Sequence, residues 1–206
     1  VYDNGRAWTA THDAWLRGIT LPEKVAHVAF ESAYEAVVQV QKRRERLDEQ
    51  ITQMARGSVF TPVVDRLACL RGISDLTGLG LAVEIGDWNR FTGASIAAFL
   101  GLTPSEHSSG QSRSLGSITK TGNSHARRLL IEAAWHHRTK YQARAVMRAR
   151  WDKAPAAARA RGHEGNRRLH NRWVDFLARR KRSTVANVAI ARELAGWCWS
   201  LAVMDD

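Results

Sequence analysis

Residues 22–57 read PEKVAHVAFESAYEAVVQVQKRRERLDEQITQMARG. Pro22 suits a first helical position, where its missing N–H costs nothing. Ala26, Phe30, Ala33, Val37, Val40, Arg44, Leu47, Ile51 and Met54 then recur in alternating steps of four and three. That is a heptad seam with Arg44 as its one charged member. Gly57 is a reasonable stop. Two readings follow: an amphipathic helix lying on its own domain, or a coiled coil pairing with another helix, in which a polar seam position fixes register.

Outward from this helix the chain continues to read as helical. Residues 1–20 form a mixed, partly helical lead-in bearing Trp8 and Trp15. Thr61-Pro62 starts the next helix, and the helical domain is expected over 61–204. Leu70-Arg71-Gly72-Ile73-Ser74 separates that helix from an apolar run, Leu76 to Ile85. Gly72 can take a positive φ, and the Ser74 hydroxyl can cap the second helix. Helix, Gly turn, helix is a helix-hairpin-helix pattern, which can present backbone N–H groups to phosphate. Gly78 and Gly80 suggest close helix approach. Thr92 is expected to cap a short helix, Gly93 to Leu100. Further helices are expected from a Ser124 cap, and over Tyr141–Trp151, Ala156–Arg161, Asn166–Arg180 and Val185–Val203. Trp135, Trp151, Trp173, Trp197 and Trp199 supply large surfaces for a core. The fold class expected is all-α, with Ser117–Thr119 the one candidate strand.

Composition narrows the function. Of 206 residues, 44% are hydrophobic and 25% charged, which excludes a disordered or low-complexity chain. Apolar runs fall short of the ~20 residues a membrane span needs, so no membrane partner is expected. Cys69 and Cys198 are too few for a disulfide scaffold or a four-thiolate zinc site, and a reducing, cytoplasmic setting is expected. No secretory signal precedes Val1, and without an initiator Met the sequence is expected to belong to a longer protein. Net charge is +11, and residues 111–182 hold 19 Lys and Arg against 4 Asp and Glu. The remaining chain holds 12 against 16. A charge concentrated this way points to a polyanionic partner, and Arg predominates, whose fork grips phosphate at two points.

The segment Ser105–Asn123 is the least core-like, with six Ser, two Thr, three Gly and two cations. A loop this long inside a compact domain is usually functional or disordered. A serine nucleophile acting on phosphate needs exposure, room beside it and cations. Ser109-Gly110 precedes Arg113, Lys120, Arg127 and Arg128, and Lys120-Thr121-Gly122-Asn123-Ser124 leads into a helix N-terminus, a ready anion site. The same residues also suit a loop that grips phosphate without catalysis. No phosphate-binding Gly-x-x-x-x-Gly-Lys-Ser/Thr loop, His-Glu-x-x-His pair or evident acidic metal cluster is present, so no metal ligand is assigned.

Several motifs stand together in order. They are Leu70-Arg71-Gly72-Ile73, Ala82-Val83-Glu84-Ile85-Gly86-Asp87, Arg90-Phe91-Thr92-Gly93 and Phe99-Leu100-Gly101-Leu102-Thr103-Pro104-Ser105. Next come Ser108-Ser109-Gly110, Ile118-Thr119-Lys120-Thr121-Gly122-Asn123, Ala126-Arg127-Arg128-Leu129-Leu130 and Glu132-Ala133-Ala134-Trp135. This series resembles the C-terminal transposase domain of the DEDD-type insertion-sequence transposases of the IS one-ten group, RNA-guided recombinases. The likeness is strong over Leu67–Arg138 and looser through Gly165-Asn166-Arg167-Arg168-Leu169 to Trp199. The helix at 21–57 resembles that family's coiled coil.

The resemblance implies a DNA transposase or recombinase whose C-terminal domain supplies a serine that attacks the DNA backbone. By the Ser-Gly motif that serine is Ser109, with Ser108 a rival one step away. Arg113, Lys120, Asn123, Arg127, Arg128, Arg167 and Arg168 are the implied nucleic-acid contacts. Implied partners are DNA, a non-coding guide RNA and further copies of the chain through the long helix. The family's Mg2+ sits on four acidic residues of a separate N-terminal RuvC-like domain, absent from this sequence, so no cofactor is assigned here. The isolated chain is therefore expected to bind nucleic acid without recombining it. The sequence departs from the family hairpin at Arg71 and Ser74, where Pro and Gly are more usual. A non-catalytic nucleic-acid-binding and oligomerisation module is the alternative.

Overall fold

The computed structural model describes residues 2–3, 5–106, 108–109, 112 and 114–205. Residues 1–49 and 50–206 form two compact units.

In the first unit, Thr9 caps α1 (Ala10–Arg17), its hydroxyl accepting from His12 N. Tyr34 Oη donates to Asp13 Oδ1 at 2.6 Å and accepts from Arg17 Nε at 2.9 Å. This joins α1 to the long helix α2 (Lys24–Arg56). The heptad pattern did mark one unbroken helix ending before Gly57, although it begins two residues after Pro22. Val40 and Leu47 of the seam are 68% and 43% exposed, so they are available to another chain.

The second unit holds α3 (Thr61–Leu67), α4 (Asp75–Ile85), a 3-10 turn at Trp88–Arg90 and α5 (Ser95–Phe99). Strands β1 (Pro104–Glu106) and β2 (Leu115–Ile118) follow, then α6 (Ser124–Ala134) and a 3-10 turn at Trp135–Arg138. The chain closes with α7 (Ala145–Trp151), α8 (Ala156–Ala178) and α9 (Ser183–Ala202). The class is mainly α, as expected, with one two-stranded sheet added.

Helix α9 lies at the centre because its buried face is nearly all apolar: Ala186, Ile190, Ala191, Leu194, Cys198 and Leu201 are buried, and buried Asn187 donates through Nδ2 to Ile131 O at 2.9 Å. It packs on α6 and α8. Trp173 is fully buried between them, its Nε1 donating to Ala134 O at 3.3 Å. Burying a side chain of that size contributes ~3 kcal/mol or more. Buried Arg66 closes the other end of α9, donating to the carbonyls of Leu201 and Ala202 at 3.0 and 3.1 Å. A cation there also meets the negative end of the helix dipole. Cys69 and Cys198 are buried and unpaired, and burial pushes the Cys69 thiol up to about 12.

Two expectations need correction. The helices expected over Ala156–Arg161 and Asn166–Arg180 are one, since α8 runs unbroken through Gly162 and Gly165. They are contact points: a Cβ on Gly165 would come within 2.9 Å of the Trp197 ring, and one on Gly162 within 2.9 Å of the Cys69 carbonyl oxygen. Tyr141 is likewise outside α7, which begins at Ala145.

The expected turn at Gly72 exists, with φ +86°, and Ser74 caps α4 by accepting from Thr77 N. Its phosphate-binding use does not follow. A Cβ on Gly72 would overlap the Ala133 carbonyl oxygen of α6. The Arg71 N–H is held by Asn166 Oδ1 at 2.7 Å, and the Ile73 N–H by Leu70 O at 3.2 Å. This turn is a packing joint with those donors already engaged.

Candidate nucleic-acid interface

The Ser105–Asn123 segment is not an open loop. β1 and β2 pair antiparallel, Pro104 opposite Ile118 and Glu106 opposite Leu115, with an irregularity between. Further out, Ser109 and Ser112 exchange backbone hydrogen bonds at 3.0 Å each way, extending the ladder. Ile118 packs on the core from the base of the hairpin. Ser108, Ser109, Ser112 and Ser114 are exposed, having no apolar surface to bury.

The base is clamped hard. Thr119 N donates to Thr103 O at 2.9 Å and Lys120 N to Gly101 O at 3.1 Å. Gly101 (φ +63°) and Gly122 (φ +72°) are required here: a Cβ on Gly122 would overlap the Phe99 carbonyl oxygen, and one on Gly101 the Thr121 backbone. Arg127 Nη1 donates to Leu100 O at 3.0 Å and Thr121 O at 2.9 Å. These carbonyls flank the two strands, so one guanidinium ties entry to exit.

At the N-terminus of α6, Asn123 supplies the cap expected of Ser124. Its Oδ1 accepts from Ala126 N at 2.9 Å, and its Nδ2 donates to Glu84 Oε2 at 2.5 Å. The other Glu84 oxygen lies 2.7 Å from His125 Nδ1. Those two hydrogen bonds, Asn123 first, hold the Glu84 carboxyl below its ordinary 4.5. Glu84 on α4 therefore positions both residues at the foot of the hairpin. Nothing in sequence spacing marks this contact, although Glu84 lies inside one of the quoted motifs.

The two candidate serines have different company. Ser109 is exposed, with its Oγ 3.0 Å from Ser112 Oγ. The Ser108 hydroxyl donates to Glu106 Oε1 at 2.7 Å. A carboxylate so near repels an incoming phosphate, whereas Ser109 has only a neutral neighbour there among the described residues. Gly110 and Arg113, named with these serines from sequence, lie outside the described residues.

The basic candidates separate by what holds them. Lys120 is exposed with φ +57°, a left-handed conformation at the base of the hairpin. Arg128 is exposed on α6 and Arg167 on α8. Arg168 donates through Nε to Glu193 Oε1 at 2.6 Å, and Arg172 pairs with the same carboxylate at 3.0 Å. Arg127 is turned inward on its carbonyls. Sequence counting missed Glu193 and Asn166, because each acts on residues 21 to 97 positions away.

Among the described residues no group of three or more His, Cys, Asp or Glu could hold a metal ion. The Mg2+ that the family resemblance implies finds no ligand set among them. No helix among them is long and apolar enough to cross a membrane.

Comparison with known proteins bears on this arrangement. Residues 64–151, which include α4, the whole hairpin and α6, match the family model described as Transposase IS116/IS110/IS902 family. The chain is 32% identical over 205 residues to y4qE of Sinorhizobium fredii, a protein named as a transposase; the match covers 98% of this chain and 49% of that one. It is 32% identical over 163 residues to a Pseudomonas aeruginosa protein named as a family 20 transposase, covering 79% and 41%. It is 25% identical over 177 residues to the transposase for insertion sequence element IS1533 of Leptospira borgpetersenii, covering 85% and 51%. The chain thus spans about half the length of these relatives. Residues 64–151 of this chain are thus similar to the transposase domain of the IS116/IS110/IS902 family.

Proposed function

We propose that this chain is the C-terminal part of a DNA transposase whose Ser109 attacks a DNA phosphodiester during strand cleavage and exchange. The observation that carries the reading is an exposed serine, its Oγ beside a neutral hydroxyl among the described residues, at the outer end of a clamped hairpin inside a segment that matches a transposase family model. In the step, the Ser109 hydroxyl loses its proton and its oxygen bonds to phosphorus. The bond from phosphorus to one flanking sugar oxygen breaks, and that oxygen leaves as a hydroxyl. The strand stays joined to the protein through a phosphoserine ester, which conserves the bond for later rejoining.

The chain's own residues supply binding and position. Lys120, Arg128 and Arg167 are exposed cations that can neutralise phosphates. Arg127 and Asn123 fix the base on which Ser109 is carried. A guide RNA is a second polyanion for the same basic surface. Exposed Val40 and Leu47 on α2 support pairing of two copies, which brings two serines to one junction. The metal-binding chemistry of the reaction belongs to a domain outside this chain, so this chain alone binds nucleic acid without exchanging strands.

The test is made in the full-length protein. Ser109→Ala should abolish the covalent DNA adduct while changing salt-dependent affinity less than about twofold. Ser108→Ala should keep the adduct. An adduct that survives Ser109→Ala, or is lost only with Ser108→Ala, overturns the assignment; a basic surface that binds without any adduct in the wild-type protein favours the non-catalytic module.

A further inference from the structure

The hairpin base forms one wall of a groove of about 930 Å3 that the serine chemistry does not use. Pro104, Gly116, Ser117 and Ile118 line that side, and α5, α8 and α9 line the rest. The floor is apolar: Ala97, Leu102 and Trp197 are buried, and Val188 and Ala189 are half-buried beside them. Four arginines, Arg161, Arg168, Arg172 and Arg192, stand around it. The Arg161 guanidinium lies over the Trp197 ring, 4.2 Å from its centre.

The charges in this groove do not cancel. Glu193 accepts from Arg168 and Arg172, and Glu164 pairs with Arg161 at 3.1 Å. Two carboxylates thus face four guanidinium groups, and Arg192 forms no ion pair among the described residues. An apolar floor beneath surplus guanidinium groups matches a ligand that is flat and apolar at one end and anionic at the other. A nucleotide is built that way: its base has two π faces, and its phosphate fits an arginine fork. Paired bases inside a duplex expose no such face, so the occupant must be unpaired. The volume lies in the range of small-molecule pockets, enough for one or two nucleotides and too small for a duplex.

We propose that this groove takes an unpaired nucleotide of the strand bound along the hairpin, its base on the Ala97–Leu102–Val188 floor and its phosphate on Arg192 and the Arg168–Arg172 pair. The inference rests on the serine reading above only for which strand is held. One hairpin joins the two places, its outer end carrying Ser109 and its base walling the groove, so seating a base beside the hairpin sets the register of the backbone that reaches Ser109.

The test compares this chain's affinity for a 20-base-pair DNA duplex carrying one unpaired nucleotide with its affinity for the fully paired duplex, by fluorescence anisotropy. Wild-type protein should favour the unpaired nucleotide about tenfold, as expected for one stacked base. Ala94→Phe, from the exposed turn before α5, and Ala189→Phe, from a half-buried position on α9, each fill the groove and keep every charge. Both should bring the ratio near one and leave affinity for the paired duplex unchanged; circular dichroism confirms that each is folded. A wild-type ratio near one, or a ratio that survives both substitutions, overturns the proposal. So does binding of a heptaglutamate peptide that is lost on filling while the nucleotide ratio stays near one, which would assign the groove to an acidic peptide. Ser109→Ala should leave the ratio intact, so failure of the serine assignment and failure of the groove assignment are read in separate assays.

Discussion

Arg127 Nη1 donates to Thr121 O at 2.9 Å, and through the same nitrogen to Leu100 O at 3.0 Å. An arginine in a run of positive charge is therefore an internal tie, while its neighbour Arg128 is exposed. Removing the Arg127 donor leaves the carbonyl of buried Leu100 without it, and an unsatisfied buried acceptor costs about 1–3 kcal/mol. Arg127→Ala should lower the unfolding free energy by that amount and barely change the salt dependence of DNA binding. Arg128→Ala should do the reverse, reducing the slope of log K against log salt by about one. Equal salt slopes for wild type and Arg128→Ala would show that Arg128 touches no phosphate.

Gly72 carries a second expectation. Its φ of +86° disfavours any side chain, and a Cβ would meet the Ala133 backbone, which cannot move aside as a flexible side chain could. Strain and overlap each cost about 1–3 kcal/mol. Gly72→Ala should destabilise the chain by about 2–5 kcal/mol in urea unfolding. A loss under 1 kcal/mol would mean that α4 and α6 are not joined this closely.

His137 sets an acid-side dependence. It is 1% exposed, and neither ring nitrogen has a hydrogen-bond partner among the described residues. Burial, with the Arg71 charge second, holds its imidazolium down to about 3 from an ordinary 6.5. The unfolded chain thus binds a proton that the folded chain resists. Its contribution is complete above pH 6.5 and is lost as pH falls toward 3, at ~1.4 kcal/mol per pH unit. Between pH 6.5 and 5 the wild type should lose about 2 kcal/mol that His137→Leu and His137→Phe do not lose. Parallel stability–pH curves in both variants would contradict a neutral, buried His137.

Glu84 acts at lower pH. Its carboxyl titrates below the ordinary 4.5 because Asn123 and His125 donate to its charged form. A depressed carboxyl stabilises the fold above its unfolded value and loses that stabilisation as pH falls through its folded value. The difference in melting temperature between wild type and Glu84→Gln should therefore be present at pH 6 and shrink below pH 4.5. A constant difference across that range would remove Glu84 as the tie between α4 and α6.

Much of this architecture is legible where local chemistry sets it. The seam from Ala26 to Met54 marks α2, and Ser74 marks the start of α4, because periodicity and caps act within a turn or two. Non-local contacts are not legible in this way. Ala156–Arg161 and Asn166–Arg180 read as two helices, yet they are one, and Gly162 and Gly165 lie inside it where Cys69 and Trp197 pass too close for any side chain. Ser105–Asn123 reads as a loop, yet it folds into a hairpin because Arg127, Gly101 and Gly122 hold its base from outside the strands. Exposure separates Ser109 from Ser108 less than company does, and Glu106 Oε1 at 2.7 Å from Ser108 is a contact that spacing alone leaves open.

The attacking atom can be identified directly. Full-length protein is trapped on a DNA substrate, digested with nuclease and protease, and the peptide carrying a residual nucleotide is sequenced by mass spectrometry. The account places the nucleotide on Ser109. A nucleotide on Ser108, on any other residue, or on none while strand exchange proceeds would contradict it.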